Sequence, residues 1–113
     1  MRRSLLPLAA VALGAAACAH ADDRGHRLYA EHGCAVCHGA QGRGDGPSAT
    51  RLDVPPPDLT NVRAYRHGSG ADDVAAVIRN GTGPNGAMPP FADLTDEEAR
   101  DVAAWIVSLQ RRP

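Results

Sequence analysis

Apolar residues in this 113-residue chain form one dense block near the start and three helical periods after it, with a long aperiodic stretch between the first period and the second. The block runs from Leu5 to Ala17, follows the basic pair Arg2 and Arg3, and is shorter than the ~20 residues that a bilayer-spanning helix needs. It reads as an export signal, outside the fold. The first period predicts a helix from about Asp23 to His32, capped by Asp22 or Asp23, with Gly25 and Tyr29 on one face, Leu28 beside them and Gly33 ending it. The second predicts a helix from about Gly70 to Asn80. Val74, Val77 and Ile78 fall at i, i+3, i+4, Ser69 with Asp72 makes a weak capping box, and Asn80-Gly81 is the stop. The third is signed most clearly. Thr95-Asp96-Glu97-Glu98 is a capping box with three acids in the first turn. Ala99, Val102, Ala103, Ile106 and Leu109 then trace one apolar stripe with Trp105 at its edge, and Arg111 and Arg112 lie at the negative end of the dipole. No segment alternates with period two, so the expected class is all-α.

Residues 39–68 carry no period and are punctuated by Pro47, Pro55, Pro56, Pro57 and by Gly39, Gly42, Gly44, Gly46 and Gly68. A loop this long inside a compact domain counts against an assignment unless it wraps something. Composition points the same way. One Trp, two Tyr and one Phe leave little aromatic surface for a core, and a small domain so composed usually needs a staple.

Two readings of the leader compete. Ala19-His20-Ala21 suits an ordinary signal peptidase, which removes residues 1–21 and leaves 22–113 as one domain. Ala15-Ala16-Ala17-Cys18 resembles a lipoprotein box, which removes 1–17 and makes Cys18 a lipidated N-terminus. Either way the protein is exported. Loss of Arg2 and Arg3 from the twelve basic residues leaves ten against thirteen acidic ones, with no Lys anywhere. A mildly acidic domain with scattered Arg is a poor match for nucleic acid.

The chemistry is concentrated in Cys34-Ala35-Val36-Cys37-His38. Cys-x-x-Cys-His is the attachment site of a c-type haem. Two thiols three positions apart on one turn can each add to one vinyl group of the porphyrin, and the adjacent His38 can donate an imidazole nitrogen to the iron. A zinc ribbon would need a second Cys or His pair, and the only other cysteine is Cys18. A thioredoxin-type pair would sit near a βαβ pattern, which is absent. For the second axial position Met88 is favoured. It is the only methionine besides Met1, and the Gly/Pro-rich run from Thr82 to Phe91, with Pro89 and Pro90 directly after it, holds it stiffly. A methionine is more often a flexible core filler; here the chain length from His38 allows a return to the opposite face. His67 is the rival ligand. His26 and His32 are taken as solvated surface groups on the first helix, and His20 belongs to the leader.

The whole pattern resembles the class I monohaem c-type cytochromes of bacteria, over about Asp23 to Leu109. The carriers are Gly25-x-x-x-Tyr29, Cys34-Ala35-Val36-Cys37-His38-Gly39, Gly46-Pro47, Asn80-Gly81, Ala87-Met88-Pro89 and the Thr95-capped helix with Trp105 and Leu109. The resemblance implies the cytochrome c fold, with three main helices and a long Gly/Pro-rich loop around one covalently attached haem. It implies that the first and last helices cross with Gly25 and Tyr29 against Trp105. It also implies that the Pro47 carbonyl accepts the Nδ1 hydrogen of His38, and that Leu59, in Pro57 to Thr60, walls the pocket. No Lys ring surrounds the haem edge, unlike the best-known members. The implied cofactor is one haem c held by Cys34 and Cys37, with iron ligands His38 and Met88.

The function expected is one-electron carriage in an extracytoplasmic chain, by a monomer working with redox partner proteins. His/Met ligation leaves no open position for substrate, and no paired carboxylates or Ser/His/Asp set point to catalysis, so no enzyme is expected. The alternative is the cytochrome subunit of a membrane-associated or periplasmic oxidoreductase complex. A gas-binding or sensor protein would require that Met88 not ligate. The expected location is the periplasm, with membrane attachment only through Cys18.

Overall fold

The computed structural model describes residues 23–84 and 88–111. The leader, with Cys18 and both cleavage readings, lies outside the described residues, as do residues 85–87. Helix α1 covers 23–31, α2 Cys34–His38, α3 Ala71–Asn80 and α4 Asp96–Ser108, with short 3-10 turns at Ala49–Arg51 and Val62–Ala64. No strand occurs among the described residues, only an isolated parallel bridge between Asn61 and Arg111. The chain is all-α, and the three periodic segments are α1, α3 and α4. The Cys-x-x-Cys-His motif adds α2, a short helix that carries no apolar period of its own.

Chain direction changes where the sequence places its punctuation. His32 N–H still donates to Leu28 O (2.9 Å), and Gly33 then turns at φ +75°, from which α2 starts. Helix α4 carries the full reciprocal cap. Glu98 N–H donates to Thr95 Oγ1, and Thr95 N–H donates to Glu98 Oε1, both at 3.1 Å. Hydrogen bonds from the Thr95 backbone N–H and then from its side chain hold the Glu98 carboxyl below its ordinary range. Thr95→Ala is expected to lower stability by about 1 kcal/mol in a denaturant titration, and to move the Glu98 titration back up in an NMR pH series. Because the folded-state value is the depressed one, the contribution of Glu98 is complete above the unfolded carboxylate range and fades as pH falls through the folded value.

The cap of α3 differs from the one expected. Gly70, not Ser69, precedes the helix, and Asp73 Oδ2 accepts from Gly70 N–H at 3.3 Å while Asp72 takes no part. The loop enters along an extended Gly70 (ψ 161°), which puts the third helical residue, Asp73, within reach.

Helix α1 crosses α4 at Gly25. A Cβ there would lie 2.1 Å from the Asp101 carbonyl oxygen and 3.0 Å from Trp105 Cβ, so only glycine permits this approach. Tyr29 packs on Trp105 one turn further along, with ring centroids 4.6 Å apart. Trp105 is deeper than a stripe edge: it is 8% exposed and has His26 stacked on it as well, at 4.4 Å. Tyr29 (1% exposed) and Trp105 therefore lie in the core together with Leu28, Leu94, Val102 and Ile106, a larger aromatic share than composition alone indicates. Arg24 reaches from α1 to Asp101 (3.3 Å) and Glu97 (3.6 Å) at the rim of the crossing, where such pairs add little. Helix α3 packs along α4, with Arg79 paired to Asp96 at its edge.

The long loop is ordered by backbone bonds within itself and to the segment that follows α4. Leu59 N–H donates to Gly42 O (2.7 Å), and Arg111 N–H donates to Thr60 O (2.7 Å). Leu59 itself is a core residue and sits with Leu109 over Gly42. Tyr65 OH donates to Leu59 O at 2.7 Å within the loop, and Gln110 Nε2 donates to Ser69 O at 2.8 Å, which ties the loop's far end to the segment just after α4.

Candidate functional site

Helix α2 sets both cysteines on one turn, and both are free thiols. Cys34 is buried in the main core, whereas Cys37 is half-buried. Burial pushes the Cys34 thiol up to about 11, only partly offset by its own backbone N–H, so it is a protonated thiol at neutral pH. His38, the last residue of α2, is held below the ordinary imidazole range by burial. It is therefore neutral, and a neutral imidazole has a lone pair to give a metal. Its Nδ1 is buried and has no hydrogen-bond partner among the described residues.

The backbone around His38 is closely specified. Gly39 N–H donates to Ala35 O (2.9 Å), Gly44 N–H to His38 O (2.8 Å) and Gly46 N–H to Cys37 O (3.1 Å). Ser48 N–H donates to Val36 O at 2.9 Å. Gly46 lies so close that a Cβ on it would be 2.3 Å from Val36 O. The Gly46-Pro47 step thus packs on α2, yet the Pro47 carbonyl does not take the Nδ1 hydrogen expected of it. Pro47 is exposed, and the contact to α2 is made by the backbone of its neighbours. From α1, Tyr29 OH donates to Gly39 O at 2.6 Å.

Met88 is partly buried and packs against the same core that contains Cys34. Its backbone is clamped to the end of α3. Thr82 N–H donates to Met88 O (3.2 Å), Met88 N–H to Thr82 Oγ1 (3.3 Å), and Phe91 N–H to Ile78 O (2.9 Å). Gly81, at φ +70°, lies under this segment, and a Cβ there would be 2.8 Å from Met88 O. The Asn80-Gly81 stop of α3 is therefore also the seat of the Met88 loop. The hold of Thr82 on Met88 is not readable from the sequence, because Thr82 is a single polar residue in an aperiodic loop with no spacing signal to single it out.

The other histidines are placed apart from this set. His67 is exposed, His26 stacks on Trp105, and His32 faces Asp93 (Nδ1 to Oδ2, 3.6 Å). Among the described residues no three His, Cys, Asp or Glu side chains group to hold a metal ion. The surface depression between α3 and α4, lined by Asp72, Arg79, Asp96 and Arg100 among others, includes none of the motif residues.

Residues 20–106 match the family model described as cytochrome c oxidase, cbb3-type, subunit III. The chain is also 36% identical over 90 residues to the cytochrome c-551 of Ectopseudomonas mendocina, covering 76% of this chain and 98% of that one. It is a monohaem c-type cytochrome. A second cytochrome c-551, from Stutzerimonas stutzeri, is 34% identical over 117 residues and covers 97% of this cytochrome and 100% of its own length. The cbb3-type cytochrome c oxidase subunit CcoP of Rubrivivax gelatinosus is 35% identical over 91 residues, covering 79% of this chain but 26% of that subunit. Among solved structures, a chain of the Kuenenia stuttgartiensis reducing HAO-like protein complex superposes with a TM-score of 0.74 at 31% identity, covering 81% of this cytochrome and 44% of that chain.

Membership brings a covalently bound haem c and the role of an electron-transfer protein working with redox partner proteins, not of an enzyme. The residues present fit that group. Two thiols share one turn, a neutral, half-buried imidazole follows them, and its Nδ1 is a buried polar atom without a partner among the described residues, which is rare enough to mark a site.

Proposed function

We propose that this cytochrome carries one electron at a time through a haem c attached by Cys34 and Cys37, with His38 and Met88 as the iron ligands. The observation that carries this reading is the neutral, half-buried imidazole of His38, its Nδ1 buried and without a partner among the described residues, directly after two free thiols on the same short helix. When bound, haem c supplies a ferric/ferrous couple at its iron. The chain's own residues supply the rest. Cys34 and Cys37 tether, His38 donates a nitrogen held at a fixed height by α2, and Met88 donates a soft thioether, which favours the reduced metal and raises the potential. Leu59, Leu28 and Ile106 keep water out of the surrounding core.

The domain is proposed as 22–113 after removal of 1–21, or with Cys18 as a lipidated first residue after removal of 1–17. It works in the periplasm, as a monomer. The similarity to an oxidase subunit and to a chain of a multiprotein complex supports a second reading, a relay subunit held in an oxidoreductase assembly. Size-exclusion chromatography of the purified holoprotein with its native lysate partners separates the two.

The test of the attachment is direct. Periplasm-expressed protein is expected to have an intact mass that includes one haem and to keep it through denaturation and acid extraction. Cys34→Ser or Cys37→Ser is expected to leave at most one thioether and a several-fold lower yield. Haem that extracts freely from the unchanged protein would show that the thiols do not hold it. The same mass spectrum reads the cleavage site.

A further inference from the structure

The Met88 side chain is long and unbranched, so where its sulfur comes to rest depends on how firmly its own backbone is held. Both polar groups of that backbone go to one residue. Met88 N–H donates to Thr82 Oγ1 at 3.3 Å, and Met88 O accepts from Thr82 N–H at 3.2 Å. Little else fastens the segment. On the near side Gly83 stands at φ +89° with open space where a Cβ would be, and Pro84 is exposed. On the far side Pro89 and Pro90 have no N–H to give, and the next backbone bond is the one from Phe91 N–H to Ile78 O. Among the described residues, the bonds to Thr82 are therefore the only ones made between Gly83 and Pro90. Met88 itself packs against the core that contains Cys34, so this clamp fixes its Cα at the edge of that core.

We infer that Thr82 is a positioning residue for the axial thioether, its hydroxyl holding Met88 at the N–H while its backbone holds the carbonyl. This rests on the reading of Met88 as an iron ligand. A Cα fixed at both of its peptide groups has already given up backbone freedom that it would otherwise lose on reaching the iron, and a ligand set in place beforehand binds more tightly for that reason. The place of Thr82 in the chain suits the role. It follows directly on Gly81, whose φ of +70° turns the chain at the end of α3, and α3 is packed along α4. The hold on Met88 is thus anchored in the helical part of the fold. The bond to the hydroxyl is long for its class, so its share is a modest factor in how tightly the thioether is held and not the whole of it.

The test uses haem-loaded protein with Thr82→Val, which keeps the branched shape and the backbone N–H but removes the acceptor, beside Thr82→Ser, which keeps the hydroxyl. Ferric protein is titrated with imidazole, which competes with Met88 for the iron, and loss of the long-wavelength band of sulfur-ligated haem is followed. Thr82→Val is expected to take up imidazole about fivefold more tightly, the worth of one ordinary hydrogen bond, and Thr82→Ser to bind it as the unchanged protein does. Equal imidazole affinity in Thr82→Val and the unchanged protein overturns the inference, even where the melting temperature falls. So does an equal rise in both variants, because loss of shape would then explain it. If Thr82→Val does not load haem, Thr82→Ala takes its place under the same criteria. Labelling the methionine methyl with 13C in the unchanged ferrous protein keeps the two readings apart. A Met88 methyl resonance moved far upfield by the haem ring upholds the ligand; one at its ordinary place overturns the ligand assignment, and this inference with it.

Discussion

Met88→Ala is expected to abolish the weak long-wavelength absorption band of sulfur-ligated ferric haem and to open the ferrous protein to carbon monoxide. The Met88 loop is seated on Gly81 and clamped through Thr82 and Phe91, so a shortened side chain leaves that backbone in place. No nearby residue is then carried inward to replace the thioether. Loss of the soft ligand also lowers the reduction potential, by something of order 100 mV within the ~0.8 V span over which axial ligands set haem potentials. His67→Ala is the control. An exposed imidazole outside the core gives no reason for any of the three changes. If His67→Ala is the variant that admits carbon monoxide, or if the unchanged protein binds it readily, Met88 is a core residue and the carrier reading loses its main support.

Gly25→Val is expected to be the most damaging substitution away from the site. The added Cβ meets the Asp101 carbonyl oxygen at 2.1 Å, and that atom belongs to the backbone of α4, so no side chain can turn aside to make room. Helices α1 and α4 must separate, which uncovers Tyr29 and Trp105 together. Overpacking of this kind costs about 3 kcal/mol or more. For a domain of this size that is a melting temperature lower by roughly 15 °C. Thermal unfolding of the holoprotein followed at the Soret band checks it. A fall of only a few degrees would mean that the crossing yields more easily than its geometry implies.

Much of this molecule is legible in its sequence, for identifiable reasons. The three long helices follow from apolar spacing and from punctuation that the backbone obeys, as at Gly33, Gly81 and the Thr95–Glu98 cap. The thiols and His38 are legible because their chemistry fixes their spacing. Trp105 was placed too near the surface because periodicity sees only one helix. What covers the ring comes from His26 and Tyr29 on α1, far away in the chain. The choice of Gly70 and Asp73 over Ser69 and Asp72 depends on the direction in which the loop arrives, and propensity does not encode that. The hold of Tyr29 on Gly39 O is invisible for a similar reason: a buried hydroxyl donating to a carbonyl leaves no spacing pattern.

The crossing of α1 and α4 also ties together segments that are synthesised at opposite ends of the domain. Gly25 and Tyr29 find their counterparts at Asp101 and Trp105, so the contact that closes the core joins nearly the two ends of the described chain. A contact of such sequence separation carries the cost of closing the loop between its partners. As the polypeptide emerges N-terminus first, α1 and the Cys34–His38 helix are present while Trp105 is still to come. Through that interval Tyr29 has no tryptophan to rest on, and Cys34 lacks the α4 part of the core that buries it in the finished protein. The topology thus leaves Cys34 short of its full cover until the last helix arrives, while Cys37 stays half-open even in the finished fold.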